Sequence, residues 1–257
     1  MIEILSENNS SPYFSSIISI KALLAKLEWD TPYSANDLRS LELHTPAAAR
    51  LAQSGWLKRL GRGVYQVPNA KLDTNKTLAL LTLEVPELHV GGKTALAWRG
   101  TRHNLAHQDR LNLWGRKTGR LPAWFTDVFN ATYQSTRIFD DKLPKGFGLA
   151  PLPGGKQRVM VSVPERALLE LFSDTGKLQS LEETMNLSEN VRHLRSDVLE
   201  TLLAHTTRIK VVPLAKAVAE NLDLPWLEIA RKHSERLGSS KRWIAVTQDK
   251  KILYLKK

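Results

Sequence analysis

The order of elements in the first 70 residues constrains the fold more than any other feature of the sequence. From Phe14 to Leu27, apolar residues recur at three- and four-residue spacing, which predicts an amphipathic first helix. A second helix is predicted over 35–41, because Ser34 can cap its N-terminus and Asp37 follows three residues later. Two helices are therefore predicted before residue 45.

A third helix and a hairpin complete this segment. The helix is predicted to open at Thr45, with the threonine hydroxyl as its cap and the following proline in its first turn, and to stop at Gly55. Short strands are predicted over 56–60 and 64–67, on either side of a glycine-flanked turn. Three helices and a hairpin in this order predict a winged helix-turn-helix, whose third helix enters the major groove of DNA.

The third helix and the hairpin supply candidate DNA contacts. Arg50 and Gln53 are the candidate base readers, because arginine pairs with guanine and glutamine with adenine. Thr45 stands at the helix N-terminus, where its hydroxyl suits a DNA phosphate. The residues predicted to position the wing are Lys58, Arg59 and Arg62. The third-helix residues predicted to face the core are Ala48, Leu51 and Ala52, and the others predicted to face outward are Pro46 and Ala47.

The charge distribution favours a polyanionic partner. The chain carries a formal net charge of +11, which attracts polyanions through its long-range field. Residues 1–70 contain seven Lys/Arg and six Asp/Glu, so the total does not mark this part as the DNA binder. Residues 44–65, however, contain four cations and no acid, which is the local pattern that phosphate contacts require. The alternative is that these cations are ordinary solvated charges.

The 257 residues leave room for a second domain after the winged helix. Beyond residue 70, helical and strand patterns are mixed. The sequence predicts an α+β protein, with a winged helix-turn-helix over 1–70 followed by a larger mixed α/β domain over 71–257. The predicted strands of this domain are 87–90, 111–114, 136–139, 159–163, 244–247 and 252–255, and the predicted helices are 78–83, 93–99, 164–174, 181–185, 197–204, 213–220 and 226–237.

Motifs that could carry chemistry have simpler explanations. Residues 90–94, VGGKT, look like the end of a phosphate-binding loop. Such a loop needs a glycine five residues before Gly92, and that position is Glu87 here. A glycine turn that caps a helix is therefore predicted instead. His103 and His107 have the spacing of a metal pair without the glutamate of a zinc protease. The segment 154–156 reads as a turn. No cofactor, no metal and no enzymatic activity are predicted.

The compartment follows from what the sequence lacks. There is no cysteine, so a disulfide framework and cysteine-ligated metal sites are excluded. The N-terminus has no cationic start and apolar run of a secretory signal. No stretch reaches the roughly 18 apolar residues of a membrane helix. A cytoplasmic protein without membrane association is predicted.

Three segments resemble a known family. Residues 55–65, GWLKRLGRGVY, resemble the wing of AbiEi-type antitoxins of type IV toxin–antitoxin systems. Residues 91–96, GGKTAL, and 163–171, VPERALLEL, are similar to later segments of that family and occur in the same order. The likeness therefore spans most of the chain.

The resemblance implies a division of labour. The N-terminal winged helix would bind inverted repeats in the operon's own promoter and repress it. The C-terminal domain would neutralise a nucleotidyltransferase-like toxin, in abortive infection against phage. A stable complex with the toxin is not implied. By position, the implied DNA contacts are Thr45, Arg50, Gln53, Lys58, Arg59 and Arg62.

Two alternatives remain open. A stand-alone winged-helix regulator could sense a ligand or assemble oligomers through its C-terminal domain, and an adjacent nucleotidyltransferase gene would argue against it. A DNA-guided enzyme could act through the same domain, and turnover or nucleotide binding would favour it.

Overall fold

The computed structural model describes residues 20–101, 110–152, 155 and 158–236, and the backbone of 243–246 and 252–255. It divides into two compact units, Met1–Leu80 and Leu81–Lys257, here called the N-terminal and the C-terminal unit. Both contain helices and strands, which confirms the α+β class. The first unit extends past residue 70, where the sequence patterns change.

The N-terminal unit has the winged helix order. Its three strands form an antiparallel sheet in the order β1-β3-β2. The predicted helices and hairpin are all present, and β1 is an addition that the sequence did not predict. The part of the predicted first helix before residue 20 lies outside the described residues. The elements are α1 (20–26), β1 (Tyr33–Ser34), α2 (Ala35–Ser40), α3 (Thr45–Gln53), β2 (Lys58–Gly61), β3 (Val64–Gln66) and α4 (Thr74–Leu81).

The start of α2 is fixed by a reciprocal cap, as the sequence predicted. The backbone N–H of Asp37 donates to Ser34 Oγ at 3.1 Å, and the N–H of Ser34 donates to the Asp37 carboxylate at 2.7 Å. The N–H of Ala35 then donates to the carbonyl of Gly63 at 2.8 Å. Gly63 has φ +71° in the hairpin turn, a conformation that favours glycine. The wing is thereby tied to the start of α2.

The start of α3 differs from the prediction by one residue. His44, with φ −69° and ψ 153°, is the residue before the helix, so Thr45 is the first helical residue and no side chain caps the end. The backbone is still extended at His44, whose carbonyl accepts the first bonds from Ala47 and Ala48. The Thr45 hydroxyl is therefore exposed and is not used as a cap.

The end of α3 turns the chain directly into the wing. Gly55 has φ +80°, and its N–H donates to the carbonyl of Ala52 at 3.3 Å. The N–H of Trp56 reaches back to the carbonyl of Leu51 at 2.9 Å. These two bonds form a Schellman motif, which requires a left-handed residue at the glycine position. The local sequence thus fixes where β2 begins relative to α3.

The core of the N-terminal unit confirms most of the predicted core face of α3. Ala48 is fully buried, and Leu51 and Ala52 pack against the core. Ala47 was predicted to face outward, and this is wrong, because it also packs against the core. The buried residues of this cluster are Leu27, Leu38, Leu43, Ala48, Leu57, Tyr65 and Val67.

A five-stranded mixed sheet organises the C-terminal unit, in the order β6-β5-β4-β8-β7. The pairs β4/β8 and β5/β6 are parallel, and β4/β5 and β7/β8 are antiparallel. A separate antiparallel pair, β9/β10, aligns Trp243 with Leu255. The strands are β4 (His89–Val90), β5 (Leu111–Trp114), β6 (Ala131–Gln134), β7 (Leu149–Ala150), β8 (Met160–Ser162), β9 (Trp243–Val246) and β10 (Ile252–Leu255).

One predicted strand is wrong. Residues 136–139 do not form a strand, and the strand of this region is β6, at Ala131–Gln134. Ile138 is buried and Phe139 makes only an isolated bridge with Thr206. Ile138 and Phe139 therefore pack without the hydrogen-bond ladder of a strand, whereas β6 forms such a ladder with β5.

Helix α7 lies at the centre of the C-terminal unit, in contact with α5, α8, α9 and α10. Its predicted core residues are all buried, and so are Glu165 and Glu170. Among the described residues, no helix has the length and apolar character needed to cross a membrane. The helices are α5 (Gly92–Trp98), α6 (Ala123–Thr126), α7 (Pro164–Asp174), α8 (Leu181–Glu189), α9 (Ser196–Ala204), α10 (Val211–Asn221) and α11 (Leu227–Arg236).

Candidate functional site

The outer face of α3 carries three of the predicted DNA contacts. Thr45, Arg50 and Gln53 are exposed. At the rotation per residue of an α-helix, these positions fall within an arc of about 140° on the side opposite Leu51. This is the face that a recognition helix would present to the major groove.

The wing carries the other three. Lys58 and Arg59 lie on β2 and Arg62 lies in the turn to β3, and all three are exposed. The Nε of Arg59 donates to the carbonyl of Gly61 at 3.1 Å, which holds this side chain against the wing turn. An arginine that is already restrained loses less side-chain entropy when it binds a phosphate.

The cations of this surface are not neutralised by neighbouring acids. Within residues 20–80, Arg50, Arg59 and Arg62 have no carboxylate within ion-pair distance, and neither has Lys58. Lys76, in the same unit, instead lies 2.8 Å from a Glu28 carboxylate oxygen. Because no acid among the described residues competes for the four cations, their charge is available to an external anion.

The sequence patterns did not single out His44, which is exposed directly before the first turn of α3. It lies in the same acid-free segment as the six predicted residues. The signal that could have found it is its place directly before the helix start, in a segment that contains cations and no acid.

In the C-terminal unit, a buried carboxylate gathers donors from distant parts of the chain. Glu170 accepts bonds from His89 Nε2 at 2.9 Å and from the N–H of Gly92 at 3.0 Å. Ser162 Oγ and Arg166 Nε donate to it at 2.8 Å and 3.0 Å. We call these five residues, His89, Gly92, Ser162, Arg166 and Glu170, the carboxylate cluster.

The charges of the carboxylate cluster follow from its bonds. Burial raises the pKa of Glu170, but the charge and hydrogen bond of His89 and the charge of Arg166 outweigh it and lower the pKa to about 2. The other ring nitrogen of His89, Nδ1, lies 3.0 Å from the carbonyl of Glu87. Both ring nitrogens therefore lie within hydrogen-bond distance of an oxygen acceptor.

The glycine pair in the VGGKT segment lies against the Glu170 carboxylate. Gly91 is the residue before α5, which confirms the predicted glycine turn at a helix start. A side chain at Gly91 would place its Cβ only 2.3 Å from Glu170 Oε2. The Gly92 N–H, which would face a phosphate in a nucleotide-binding loop, is bonded to Glu170 instead.

Serine, histidine and an acid meet in the carboxylate cluster without the order of a hydrolytic triad. In such a triad the histidine lies between the serine and the acid. Here Ser162 and His89 both bond to Glu170, and Ser162 is fully buried. The arrangement stabilises a charge and does not activate the hydroxyl.

The other chemical candidates that the sequence raised stay untested. In the part of the chain that the structure describes, no three His, Cys, Asp or Glu side chains come together as a metal site would require. His103 and His107 lie outside the described residues, as do Gly154 and Lys156.

Comparisons with known proteins agree with this architecture. The crystal structure of the RV2827C protein from Mycobacterium tuberculosis aligns with a TM-score of 0.59 and 13% identity, over 90% of this chain and 83% of that chain. At this identity the likeness concerns the fold alone. No curated protein matches the sequence significantly.

Two family profiles match in succession. Residues 16–107 match the profile described as "Transcriptional regulator, AbiEi antitoxin N-terminal domain". Residues 108–256 match the one described as "Transcriptional regulator, AbiEi antitoxin, Type IV TA system". The chain therefore belongs to the AbiEi family of antitoxin transcriptional regulators of type IV toxin–antitoxin systems.

Proposed function

We propose that this protein represses its own toxin–antitoxin promoter in the cytoplasm by binding inverted repeats in duplex DNA through residues 1–70. Residues 71–257 carry the antitoxin activity against a nucleotidyltransferase-like toxin. The toxin is a functional partner and need not form a stable complex. The observation that carries the proposal is the exposed, acid-free surface of α3 and the wing in a family of transcriptional regulators.

The two parts of this surface have different tasks. Arg50 and Gln53 read base edges in the major groove, since each can make paired hydrogen bonds to a purine. Thr45 contacts a phosphate at the start of α3. The wing residues that hold the DNA backbone, and therefore act on any sequence, are Lys58, Arg59 and Arg62.

The number of cations predicts how binding depends on salt. If the three wing cations contact phosphates, the logarithm of the association constant falls with the logarithm of salt concentration with a slope of about −3 per bound protomer. Removal of one wing cation reduces this slope by about 1. The proposal assigns no catalytic step to the chain.

Two alanine variants test the assignment of tasks. Arg50→Ala is expected to cost about 1–3 kcal/mol on the operator and to relax the base preference at one position. Arg62→Ala is expected to weaken operator and random DNA alike. Lys26→Ala, at an exposed residue of α1, is the matched control and should leave both affinities unchanged. Equal losses on both duplexes for Arg50→Ala would remove it as a base reader.

The division between repression and antitoxin activity is tested in the full chain. Arg50→Glu combined with Arg62→Glu reverses two exposed charges and should abolish repression of a promoter reporter, because both would repel DNA. The same variant should still protect cells that express the toxin of the operon. Loss of protection by the folded variant would contradict the division.

A further inference from the structure

The C-terminal unit contains a cavity of about 770 Å³. Its lining includes the ends of β4, β5 and β8, the segment 135–146, and the α7 residues Arg166 and Glu170. This volume is in the range of sites that hold small molecules. The cavity lies against the carboxylate cluster, so its inner end is buried and charged while its rim is exposed.

At the inner end of the cavity, His89 and Arg166 both contact the carboxylate of Glu170. The carboxylate lies 2.9 Å from His89 Nε2 and 3.0 Å from Arg166 Nε. Four donors already fill the acceptor positions of Glu170. Glu170 therefore leaves no acceptor open to a ligand.

Arg166 is held rigidly with unused donor capacity. Its Nε bonds to Glu170, its Nη1 donates to the carbonyl of Phe147 at 2.7 Å, and its guanidinium stands 5.2 Å from the centre of the Phe139 ring. Its second terminal nitrogen, Nη2, makes no hydrogen bond to any residue that the structure describes. A preorganised guanidinium with a free edge suits a carboxylate or phosphate.

Two further guanidiniums lie at the rim. Arg137 lies 3.2 Å and Arg116 lies 3.8 Å from the carboxylate of Asp141, and Arg116 also pairs with Glu87 at 3.3 Å. The Asp141 side chain is 75% exposed, so it holds Arg137 only weakly. A ligand oxyanion that enters the cavity can compete with it.

We propose that this cavity binds a small organic anion, with its carboxylate or phosphate group against Arg166 and Arg137 and a planar apolar portion against Ile138 and Phe139. Ile138 and Phe139 line the cavity together with Leu149 and Met160, so the site joins an apolar wall to charged donors. Nucleoside monophosphates and aromatic carboxylates share this chemistry. The site lies in the C-terminal unit, whereas the candidate DNA surface lies in the N-terminal unit.

Calorimetric titration of the full chain tests the proposal. The probes are adenosine monophosphate, benzoate, inorganic phosphate and uncharged adenosine. At least one of the two organic anions should bind, and more tightly than either phosphate or adenosine, because both the oxyanion and the planar part contribute. The organic anion that binds more tightly identifies the ligand class, which is a nucleoside monophosphate or an aromatic carboxylate. No measurable binding of either organic anion, or equal binding of adenosine, would overturn the proposal.

Variants locate the site. Arg166→Lys keeps the positive charge but loses the planar guanidinium with its paired N–H donors, and should weaken binding by about tenfold. Arg137→Gln, at the exposed rim, should weaken it by about threefold. Arg231→Gln removes a guanidinium from a comparable surface ion pair with Glu228 outside the cavity and should have no effect. If Arg166→Lys unfolds, Arg137→Gln decides, and unchanged affinity in that variant would contradict the proposed site.

Discussion

Replacement of Asp174 by asparagine should make the protein more stable at neutral and alkaline pH. Asp174 is the last residue of α7, is almost fully buried, and accepts one bond from Gln134 Nε2 at 3.0 Å. Burial, followed by the charge of Glu170, raises the pKa of Asp174 to about 7. Asparagine keeps the size and the acceptor but cannot ionise.

The sign and size of the effect follow from linkage. Between its unfolded pKa of 3.8 and its folded pKa of about 7, Asp174 binds its proton more tightly in the native state. The contribution of this group to stability therefore falls as the pH rises through that window and stays low above it. A rise of about three pKa units corresponds to at most about 4 kcal/mol. Burial lowers the pKa of Lys210 to about 8, so its charge is constant over most of the window.

Urea denaturation at about pH 5 and about pH 8 measures the free energy of unfolding of the variant and of the wild type. Relative to the wild type, Asp174→Asn should gain about 2–3 kcal/mol in free energy of unfolding between the two conditions, because about two pKa units of the window lie between them. Asp127→Asn, at an exposed position after α6, is the control and should gain little. A difference between Asp174→Asn and wild type that does not change with pH would refute the reasoning.

Three substitutions test local features by thermal or urea denaturation. Ser34→Ala removes the cap of α2 and should cost about 1 kcal/mol, whereas Ser54→Ala, at the exposed end of α3, should cost less. Gly55→Ala introduces a side chain at φ +80° and should cost about 1 kcal/mol through backbone strain alone, because no atom lies within 4 Å of the new Cβ. Gly91→Ala should cost about 1–3 kcal/mol or more, because the Cβ meets the buried Glu170 carboxylate and Trp114. Wild-type stability of any of these variants would contradict the corresponding local account.

Local signals predicted the elements that local chemistry determines. The helix over 164–174 has the predicted bounds, because Pro164 starts it and apolar residues follow at helical spacing. The cap at Ser34 could likewise be predicted, because it involves only Ser34 and Asp37, three residues apart. Strand β6 was missed because the residues of Ala131–Gln134 are all only partly buried and owe their strand form to pairing with β5.

The candidate DNA surface could be predicted from the sequence because its residues lie within one short segment. The carboxylate cluster could not, since His89 and Glu170 are 81 residues apart. A charged residue in a helix is ordinarily expected to face solvent. Glu165 is buried for the same long-range reason, because Arg195, 30 residues away, donates to it at 2.9 Å.

A titration of the full chain against its own upstream promoter and against a scrambled duplex, at two salt concentrations, tests the central claim most directly. The account predicts tight binding to the promoter, clear discrimination against the scrambled duplex, and weaker binding to both as salt increases. Weak and equal binding to both duplexes would show that the cations of α3 and the wing are only solvated charges, and would contradict the proposed repressor.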